Sequence, residues 1–400
     1  MTGPLTGVKV IDLTSMISGP LATMTLADQG ADVIKVEAPA GDHTRRVSGG
    51  RGGFSASFLN NNRNKRSIVI DLKNPEGLAI LLQLCTDADI VIQNFRPGVA
   101  DRIGVGEEAI RQINPSVIYV SISGFGFNGP YAHRPVFDPL VQALSGLTTI
   151  QAGSDEERPR LVRTILPDKL TALQAAQAMT AALFARAQTG TGQHIQLSML
   201  DTIISFLWSS DMGGHTFVGD EMEKEQAQSF IDLIYHTTDG YISIAIQQDK
   251  DWRGFARAVD RTDLIDDNRF SSPQMREKNK NIRMEIIQSC VTGFSSDDIL
   301  QRLEDEDVPC APVLTRTNMR DNEQVIANDI IIETPHPHAG NLRQTRHPAM
   351  FSQTPPQINR GAPHLGEHSV EVLAQTGFDE EAIKALENSK VIMQYRQAGE

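Results

Sequence analysis

The sequence predicts an α/β protein built on a doubly wound parallel sheet. In the first third of the chain, short apolar runs alternate with segments whose apolar residues recur at helical spacing. Parallel strands need a crossover connection, which is usually a helix, so this alternation indicates a parallel sheet. The chain has 400 residues, of which 40% are hydrophobic, and is long enough for a large core and more than one domain.

Five apolar runs predict the strands of this sheet, and helical segments separate them. The predicted strands are VKVIDL (8–13), ADVIKVE (31–37), RSIVIDL (66–72), DIVIQNF (89–95) and SVIYVSISGFG (116–126). The predicted helices cover 20–30, 75–88, which begins with a proline, and 107–113. Ligands of such sheets bind at the carboxyl ends of the strands, which here are 15–18, Glu37, Lys73, 94–96 and 123–126.

The turn after the first strand argues against an NAD or FAD site. It reads S-M-I-S-G-P rather than G-x-G-x-x-G. Without those glycines a pyrophosphate cannot approach the backbone closely. Glu37, at the end of the second strand, is therefore not assigned to a ribose.

The second half of the chain predicts a further unit. A helix begins near Asp201, which we interpret as its N-cap. The segment 213–229 is polar and rich in glutamate, which is typical of a linker. A hairpin with its turn at Asp239 and Gly240 follows, and then helical segments. The apolar run 308–314 contains two prolines, which suits an edge strand or a domain crossing.

Composition and charge exclude several classes of protein. The net charge of −13 and the pI near 5.3 disfavour nucleic-acid and anionic-membrane partners. No apolar run approaches the ~18 residues of a membrane span, and the N-terminus lacks a secretory pattern. Cys85, Cys290 and Cys310 have no metal or redox spacing and cannot all pair. We expect a reduced, cytoplasmic protein without a metal site.

The segment 45–73 carries an excess of positive charge. It contains one acidic residue, Asp71, and a net charge of +6, and we call it the basic island. Such an island in an acidic protein suggests a local polyanionic ligand, such as a nucleotide with several phosphates. The alternative is a solvated, salt-bridged loop. Its seven basic residues are Arg45, Arg46, Arg51, Arg63, Lys65, Arg66 and Lys73.

Asp168 stands at the front of the longest predicted helix. The stretch 163–186 is rich in Ala, Leu, Gln and Met, with Pro167 and Asp168 before its periodic part. Aspartate is a good N-cap and is favoured by the helix macrodipole. The same setting keeps a carboxylate ionised and leaves backbone N–H groups for developing oxyanions. From the residues alone, Asp168 is either a cap or a reactive carboxylate.

Nine motifs follow one another along nearly the whole chain. They are GVKVIDL with SGP after it, LADQGADVIKVE, NKRSIVIDLK, NFRPG, ISGFGxxGP, the Asp168 stretch, TGxGQxIxLSMLD, VPCAPV and APxLGEHS. Each motif is weak alone, but the ordered series is specific. Together they resemble the class III CoA-transferase family, which includes formyl-CoA:oxalate and carnitine CoA-transferases and α-methylacyl-CoA racemase.

The resemblance implies an architecture that the residue pattern does not reveal. The two ends of the chain, 1–212 and 346–400, are expected to form one large Rossmann-like domain. The middle, 230–320, is expected to form a smaller α+β domain, joined by linkers at 213–229 and 321–345. Two chains of this family are threaded through each other, so we expect an interlocked homodimer.

The resemblance also implies a reaction and a role for Asp168. This residue matches the family's catalytic aspartate, which attacks an acyl-CoA thioester to form a mixed anhydride and then an aspartyl-CoA thioester. An acceptor acid then attacks, and the reversed steps deliver a new acyl-CoA. The implied co-substrate is coenzyme A, and the implied partners are acyl-CoA, small carboxylic acids and a second copy of the chain.

The family's CoA pocket maps onto the predicted strand ends. Three of its positions carry cations suited to phosphates, Lys73, Arg96 and Arg102. The full set of implied contacts is Ile17, Ser18, Ile70, Asp71, Leu72, Lys73, Asn94, Phe95, Arg96 and Arg102.

This sequence departs from the family pattern in two places. Family members commonly carry an arginine near the adenine, directly after the acid that ends the second strand, but Ala38 stands here. Either Arg45 or Arg46 substitutes for it, or adenine is held less tightly. Family transferases also carry a glycine run in the small domain that closes over the intermediate. This sequence has none, and Gln247 and Gln248 are the candidates for that role.

Three other functions stay open. Racemase chemistry needs a histidine directly before Asp138, but Phe137 stands there and cannot carry a proton, and His133 lies four residues earlier. Asp138 either orients the site or is a buried structural carboxylate. Acyl-CoA hydrolysis would result if water reached the anhydride. A non-catalytic CoA-binding protein is disfavoured by the intact Asp168.

Overall fold

The computed structural model describes residues 3–47, 49–219 and 232–397. Its strands are β1 (Lys9–Asp12), β2 (Asp32–Glu37), β3 (Gly50–Arg51), β4 (Phe54–Ser55), β5 (Lys65–Ile70), β6 (Ile90–Gln93), β7 (Ile118–Ser123), β8 (His194–Ser198), β9 (Ile234–His236), β10 (Tyr241–Ile244), β11 (Cys310–Pro312), β12 (Ile331–His336), β13 (Gly340–Thr345) and β14 (Ile392–Met393).

The helices alternate with these strands in the first half of the chain. They are α1 (Ser18–Asp28), α2 (Ala56–Asn62), α3 (Pro75–Cys85), α4 (Val99–Arg102), α5 (Glu107–Ile113), α6 (Asp138–Leu144), α7 (Leu147–Ala152), α8 (Leu166–Thr189), α9 (Met199–Trp208), α10 (Asp249–Ala258), α11 (Pro273–Lys278), α12 (Lys280–Val291), α13 (Ser296–Asp305), α14 (Glu323–Ala327), α15 (Ser369–Gln375) and α16 (Glu380–Asn388).

The chain divides into two compact units. Unit 1 comprises Met1–Gln228 and Asp329–Glu400, and unit 2 comprises Ser229–Asn328. Both ends of the chain therefore share one unit, and the middle of the chain forms the other. The predicted linker 213–229 falls largely outside the described residues, and its described part contains a short 3-10 turn at Gly213–Thr216.

Unit 1 is organised around a seven-stranded sheet in the order β14-β5-β2-β1-β6-β7-β8. Six strands are parallel, and β14 pairs with β5 antiparallel. All five predicted strands of the first third lie in this sheet, which confirms them. Neighbouring residues such as Val10 and Ile11 point into different apolar cores, one on each face. Because helices cover both faces, the strands read as continuous apolar runs.

The order of the parallel strands reverses at β1. The chain runs from β1 through β2 to β5, and then returns to β6 and continues through β7 to β8. The carboxyl ends of β1 and β6 are therefore neighbours, and such a reversal is the place at which sheets of this kind form a ligand-binding crevice. Asn94 joins the two ends, because its Oδ1 accepts from the Ser15 N–H at 3.0 Å and its Nδ2 donates to the Ser15 carbonyl at 2.8 Å.

Most of the basic island is neutralised inside the fold. The acidic partners lie earlier in the chain, so the local count of +6 overstated the charge. Four of the seven basic side chains are therefore structural, and the interpretation of the whole island as a polyanion site is wrong. Their ion pairs are Arg45–Glu37 (2.6 Å), Arg63–Asp28 (2.7 Å), Lys65–Asp12 (3.0 Å) and Arg66–Asp32 (2.5 Å).

The segment 321–345, expected to be a linker, contains secondary structure. It holds α14 and the antiparallel hairpin β12–β13. Ala339 and Leu342 of the hairpin region pack with Phe54 and Phe58 in a small apolar cluster of unit 1. The hairpin strands are polar and contain Pro335, so the sequence there carries no alternating apolar signal for strands.

Unit 2 contains a three-stranded antiparallel sheet in the order β11-β10-β9 and the helices α10 to α13. The predicted hairpin turn is confirmed, with the carboxylate of Asp239 accepting from the Ser296 N–H at 2.8 Å. The edge position of β11 is also confirmed. Pro312 is tolerated there because an edge strand has one unpaired side.

Ser198, rather than Asp201, caps helix α9. The Ser198 Oγ accepts from the Asp201 N–H at 2.9 Å, and Asp201 lies in the first turn of the helix. The macrodipole favours an acid at either position, so the residue pattern did not separate the two.

Candidate active site

Asp168 lies in the first turn of α8 but not at its cap. The helix begins at Leu166, and its N-cap Ile165 provides no side-chain hydrogen bond. Pro167 suits the first turn because its missing N–H needs no partner there. Asp168 is thus the third helical residue, and its own N–H donates to Asp138 Oδ2 at 3.2 Å. The N-cap interpretation of Asp168 is therefore wrong.

The first turn of α8 uses its own backbone donors. The Leu166 N–H donates to the Thr164 carbonyl at 2.8 Å, and the Lys169 N–H donates to the Ile165 carbonyl at 3.2 Å. Residue 167 is proline, and the N–H of residue 168 is bound as described. The expectation that this helix start leaves N–H groups for oxyanions is therefore wrong.

The Asp168 carboxylate instead faces the start of helix α1. Ser18 is the first residue of α1, and both its hydroxyl and its backbone N–H interact with the carboxylate. Packing of α1 against α8 brings the two residues together. A helix N-terminus carries partial positive charge and stabilises an anion placed there. Ser18, expected from the family resemblance to contact CoA, thus lies beside the expected nucleophile.

The turn that precedes Ser18 has a strained backbone, which hydrogen bonds from neighbouring side chains stabilise. Met16 has a φ of 69°, in the left-handed region that residues with side chains rarely adopt. The Met16 N–H donates to Asp42 Oδ1 at 3.3 Å. Lys35 Nζ donates to the Thr14 carbonyl at 2.8 Å. These bonds stabilise a backbone conformation that would otherwise be unfavourable.

A buried network of charges fixes the base of this turn. Asp12 Oδ1 accepts from the Thr14 N–H at 2.9 Å, and Asp12 Oδ2 accepts from Lys65 Nζ at 3.0 Å. Burial alone would raise the pKa of Asp12, but the ammonium groups of Lys65 and Lys35 hold it well below its usual range. Only glycine fits at Gly19, because an added Cβ would lie 2.3 Å from the Thr14 Cβ.

Asp138 is the second carboxylate of the site. It begins helix α6 and is 3% exposed. Its Oδ2 accepts from the Asp168 N–H, and its Oδ1 accepts from Gln142 Nε2 at 2.6 Å. Asp138 therefore contacts the backbone of the first α8 turn directly, which favours the orienting role among the two interpretations of this residue.

Burial raises the pKa of both carboxyl groups, and the charge of Asp138 raises that of Asp168 further. Burial is the largest cause for Asp168, the charge of Asp138 adds to it, and the Ser18 donors oppose it, so that the pKa is about 6. Burial also raises the pKa of Asp138, against hydrogen bonds from Gln142 and from the Asp168 backbone. At neutral pH Asp168 is mostly ionised but weakly solvated, which favours reaction as a nucleophile.

The expected phosphate-binding cations lie near the carboxyl ends of β5 and β6. Lys73, Arg96 and Arg102 are exposed, and none of them forms an ion pair with a described residue. Their charges are therefore available to an anionic ligand, in contrast to the four neutralised cations of the basic island.

The other expected CoA contacts divide between the crevice and the core. Ile70 is fully buried, and Leu72 and Phe95 pack against the same core, so these side chains serve packing. Asp71 Oδ1 accepts from the backbone N–H two residues later at 3.1 Å and so closes the turn after β5. Ile17 is half-buried at the start of α1.

Arg45 does not replace the arginine missing at position 38. It binds Glu37 through two hydrogen bonds of 2.8 and 2.6 Å and donates to the Pro363 carbonyl at 2.9 Å. Its guanidinium also lies 3.8 Å from the centre of the Phe58 ring. All of these contacts are structural, so the expectation for Arg45 is wrong. Arg46 is exposed, and for this residue the prediction stands.

Phe137 and His133 are the residues that bear on the racemase alternative. Phe137 is 66% exposed, and His133 is exposed as well. The described groups that act on the charge of Asp168 are Asp138 and Ser18, neither of which is a histidine.

Gln247 and Gln248 lie in unit 2 at the start of α10. Their N–H groups both donate to Asp251 Oδ2, at 3.0 and 2.7 Å. Gln248 also forms a capping box with Asp251. Their backbone is therefore fixed by a helix N-terminus, and their role in shielding an intermediate stays a prediction.

Reasoning from the sequence missed Gln142. This residue follows Asp138 by four positions on α6, where two side chains share one helix face. The sequence does contain a signal for it. An amide that follows the Asp-Pro start of a helix by four residues lies next to the carboxylate of that aspartate.

Two kinds of feature are absent from the described part of the chain. No helix there combines the length and apolar character needed to cross a membrane. No group of three or more His, Cys, Asp or Glu residues there could hold a metal ion.

The chain is similar to known CoA-transferases along most of its length. Residues 5–369 match the model of CoA-transferase family III. The succinate–glutarate CoA-transferase of Agrobacterium fabrum is 33% identical over 382 residues, which cover 93% of this chain and 95% of that protein. The formyl-CoA:oxalate CoA-transferase of Streptomyces avermitilis is 29% identical over 413 residues, which cover 98% of this chain and 100% of that protein.

Solved structures agree with this relationship. A crystal structure of a CAIB/BAIF family protein from Brucella suis is 30% identical and has a TM-score of 0.82, covering 94% of this chain and 100% of that one. The chain belongs to CoA-transferase family III and is an acyl-CoA:carboxylate CoA-transferase.

Proposed function

We propose that Asp168 is the nucleophile of the transfer reaction. The observation that carries this proposal is the setting of its carboxylate, which faces the N-terminus of α1 and lies beside the buried Asp138. A pKa of about 6 leaves it ionised at neutral pH, while burial removes much of the water that would quench its reactivity. The hydroxyl and N–H of Ser18 are placed to stabilise an oxyanion at the aspartyl carbonyl.

The proposed first half-reaction moves CoA onto the protein. An Asp168 oxygen attacks the thioester carbonyl carbon, the C–S bond breaks, and CoA leaves as the thiolate. The product is a mixed anhydride. The thiolate then attacks the aspartyl carbonyl, the donor acid leaves as a carboxylate, and Asp168 carries CoA as a thioester.

The second half-reaction repeats these steps in reverse with another acid. The acceptor carboxylate attacks the aspartyl-CoA thioester, which releases the thiolate and forms a second anhydride. The thiolate then attacks the acyl carbonyl of the acceptor, so that a new acyl-CoA forms and the Asp168 carboxylate is regenerated. Charge and protons balance over the cycle, and neither an oxidant nor a metal is required.

We further propose that CoA binds in the crevice at the carboxyl ends of β1, β5 and β6. The order of the six parallel strands, β5-β2-β1-β6-β7-β8, supports a Rossmann-like ligand-binding sheet. Exposed cations at these ends support phosphate binding. The proposed contacts are Ile17, Ser18, Asp71, Lys73, Asn94, Arg96 and Arg102, with Leu72, Ile70 and Phe95 supporting the loops that carry them.

Small dicarboxylic acids are the proposed acceptor class. Relatives named for succinate, glutarate and oxalate are similar over almost the whole chain, and all three acids carry two carboxyl groups. A mass-spectrometric screen of acyl-CoA donors against mono- and dicarboxylic acids tests this class. Faster transfer to monocarboxylic acids of equal length would contradict it.

Replacement of Asp168 tests the nucleophile directly. Wild-type protein incubated with succinyl-CoA and hydroxylamine should acquire a hydroxamate on the peptide that contains Asp168, because hydroxylamine competes for the activated carbonyl. Asp168→Asn should lose both labelling and transfer. Asp201→Asn is the matched control, since Asp201 occupies the same first-turn position of α9 and is exposed. Transfer at the wild-type rate by Asp168→Asn would refute the assignment.

A further inference from the structure

Gln142 is a buried amide that no step of the proposed reaction uses. It lies on α6 and is 2% exposed. Its Nε2 donates to Asp138 Oδ1 at 2.6 Å and to the Thr164 carbonyl at 3.2 Å. Its Oε1 accepts from the Val162 N–H at 2.9 Å. One side chain therefore satisfies groups on two separate segments.

These bonds connect α6 to the first turn of α8. The Thr164 carbonyl bound by Gln142 also accepts from the Leu166 N–H, the first donor of α8. The other oxygen of Asp138 accepts from the Asp168 N–H. Gln142 thus fixes the segment before the helix through Thr164 and the helix itself through Asp138.

We propose that Gln142 is a positioning residue for Asp168. It holds the Asp138 carboxylate against the α8 backbone and thereby sets both the place of Asp168 and the negative charge beside it. The charged group that acts on Asp168 is Asp138. Lys169, whose Nζ donates to the Thr164 hydroxyl at 2.9 Å, in turn acts on Asp138. The inference rests on the proposed function only in taking Asp168 as the reacting carboxylate.

The isosteric change Gln142→Glu tests this role because it keeps the shape and removes the donor. An ionised carboxylate at position 142 would place an oxygen against Asp138 Oδ1, where the wild-type protein has a hydrogen bond of 2.6 Å. Two carboxylates at that separation either move apart or share a proton, which would restore the bond. Transfer is therefore measured at pH 9, where the shared proton is disfavoured. The second change Asp138→Asn should restore the bond, because the new amide can donate to the carboxylate at position 142 while its carbonyl still accepts from the Asp168 N–H.

The double variant also separates geometry from charge. It restores the hydrogen bond between positions 138 and 142, but not the one to the Thr164 carbonyl, and it moves the negative charge from position 138 to position 142. Transfer should therefore recover, while the pKa of Asp168 should fall because less repulsion opposes its ionisation. Asp138→Asn alone also removes this repulsion, so the fall in pKa reports the charge at position 138. Recovery of transfer relative to both single variants reports the role of Gln142.

Two measurements are required, and one of them needs no substrate. The first is kcat for CoA transfer, which we expect to fall about 100-fold in Gln142→Glu, since small displacements of a reacting group cost about that factor. We expect recovery to within about tenfold of wild type in the double variant. The second is the change in stability caused by Asp168→Asn, measured against pH in each background. The midpoint of this pH dependence reports the pKa of Asp168.

Controls make each outcome decisive. Gln301→Glu is the matched control, because Gln301 on α13 is exposed and its Nε2 also donates to an aspartate four residues away, Asp305 Oδ1, at 2.9 Å. It should leave both readouts unchanged. If Gln142→Glu does not fold, Gln142→Met removes the donor without adding charge, and kcat and the Asp168 midpoint should both fall.

A wild-type kcat in folded Gln142→Glu would overturn the inference. A double variant that transfers CoA no faster than Gln142→Glu or Asp138→Asn alone would also overturn it. Because the stability measurement uses no substrate, failure of the proposed function, seen as an active Asp168→Asn, is distinguishable from failure of the inference about Gln142.

Discussion

Asp168 is held between groups with opposite effects on its charge. Burial and the neighbouring Asp138 raise its pKa to about 6, while the hydroxyl and N–H of Ser18 favour the ionised form. The reactivity of the carboxylate depends on this balance, because a lower pKa weakens a nucleophile and a higher pKa protonates it at working pH. Of these groups, the Ser18 hydroxyl is the one that a substitution can remove without changing the charge of the site.

The change Ser18→Ala should raise the pKa of Asp168 above 6. Loss of the hydroxyl removes a bond that favours the ionised form, and we expect a shift of about half a unit to one unit. Below pH 6 the rate of hydroxylamine labelling should then fall about three- to tenfold, with a smaller change at pH 8. The labelling rate measured from pH 5 to pH 8 checks this.

Ser15→Ala is the control for Ser18→Ala. Ser15 is exposed in the same turn, and its contacts with Asn94 use only its backbone. The labelling profile of Ser15→Ala should match that of the wild type. An unchanged midpoint in Ser18→Ala would show that the hydroxyl does not act on Asp168.

At the scale of elements, β5 and the loop after it contain two kinds of cation. Lys65 on β5 is fully buried against Asp12, whereas Lys73 after β5 is exposed and has no ion pair with a described residue. The sequence could not separate them, because the partner of Lys65 lies 53 residues away. Strands such as β1 and β7 were predictable, since burial on both faces makes them continuously apolar.

Lys65→Met and Lys73→Met should have opposite effects. Lys65→Met leaves Asp12 buried without its partner and should lower the free energy of unfolding by about 3–5 kcal/mol. Lys73→Met should change stability by no more than about 0.5 kcal/mol but weaken CoA binding about tenfold. Urea denaturation and calorimetric titration with CoA measure the two quantities. Equal destabilisation by both changes would contradict the distinction.

Other features of the site and of the fold could not be predicted from the sequence, for physical reasons. The position of Asp168 as third helical residue depends on the backbone angles at Ile165, which residue preferences do not fix. The hairpin β12–β13 is mostly polar, so that its pairing has no alternating apolar signal. The contact between Asp168 and Ser18 depends on how α1 packs against α8, which is a tertiary property.

At the scale of the whole molecule, unit 1 exposes apolar side chains on two long helices. Phe184 on α8 is 67% exposed, and Leu173, Phe206 and Trp208 on α8 and α9 are exposed as well. The two helices contact each other, and a concentration of exposed large apolar side chains favours an interface. A second copy of the chain is the occupant that the family resemblance implies.

We therefore expect a homodimer in solution. Light scattering at micromolar concentration should give a mass of twice 43.9 kDa, with no dissociation on tenfold dilution. Phe184→Glu should weaken the association or reduce solubility, because it places a charge in a desolvated contact. An active monomer at the same concentration would contradict this expectation.

The pairing of Asp12 with Lys65 bears on the order in which the molecule folds. The two residues belong to β1 and β5, which are not neighbours in the sheet, so β2 must first be placed between them. Contacts of such long sequence separation form late, because the intervening chain must be closed before they stabilise it. The turn that presents Ser18 rests on this pair and should become native only when the sheet is complete. A newly made chain is thus expected to stay inert towards acyl-CoA until its folding has finished.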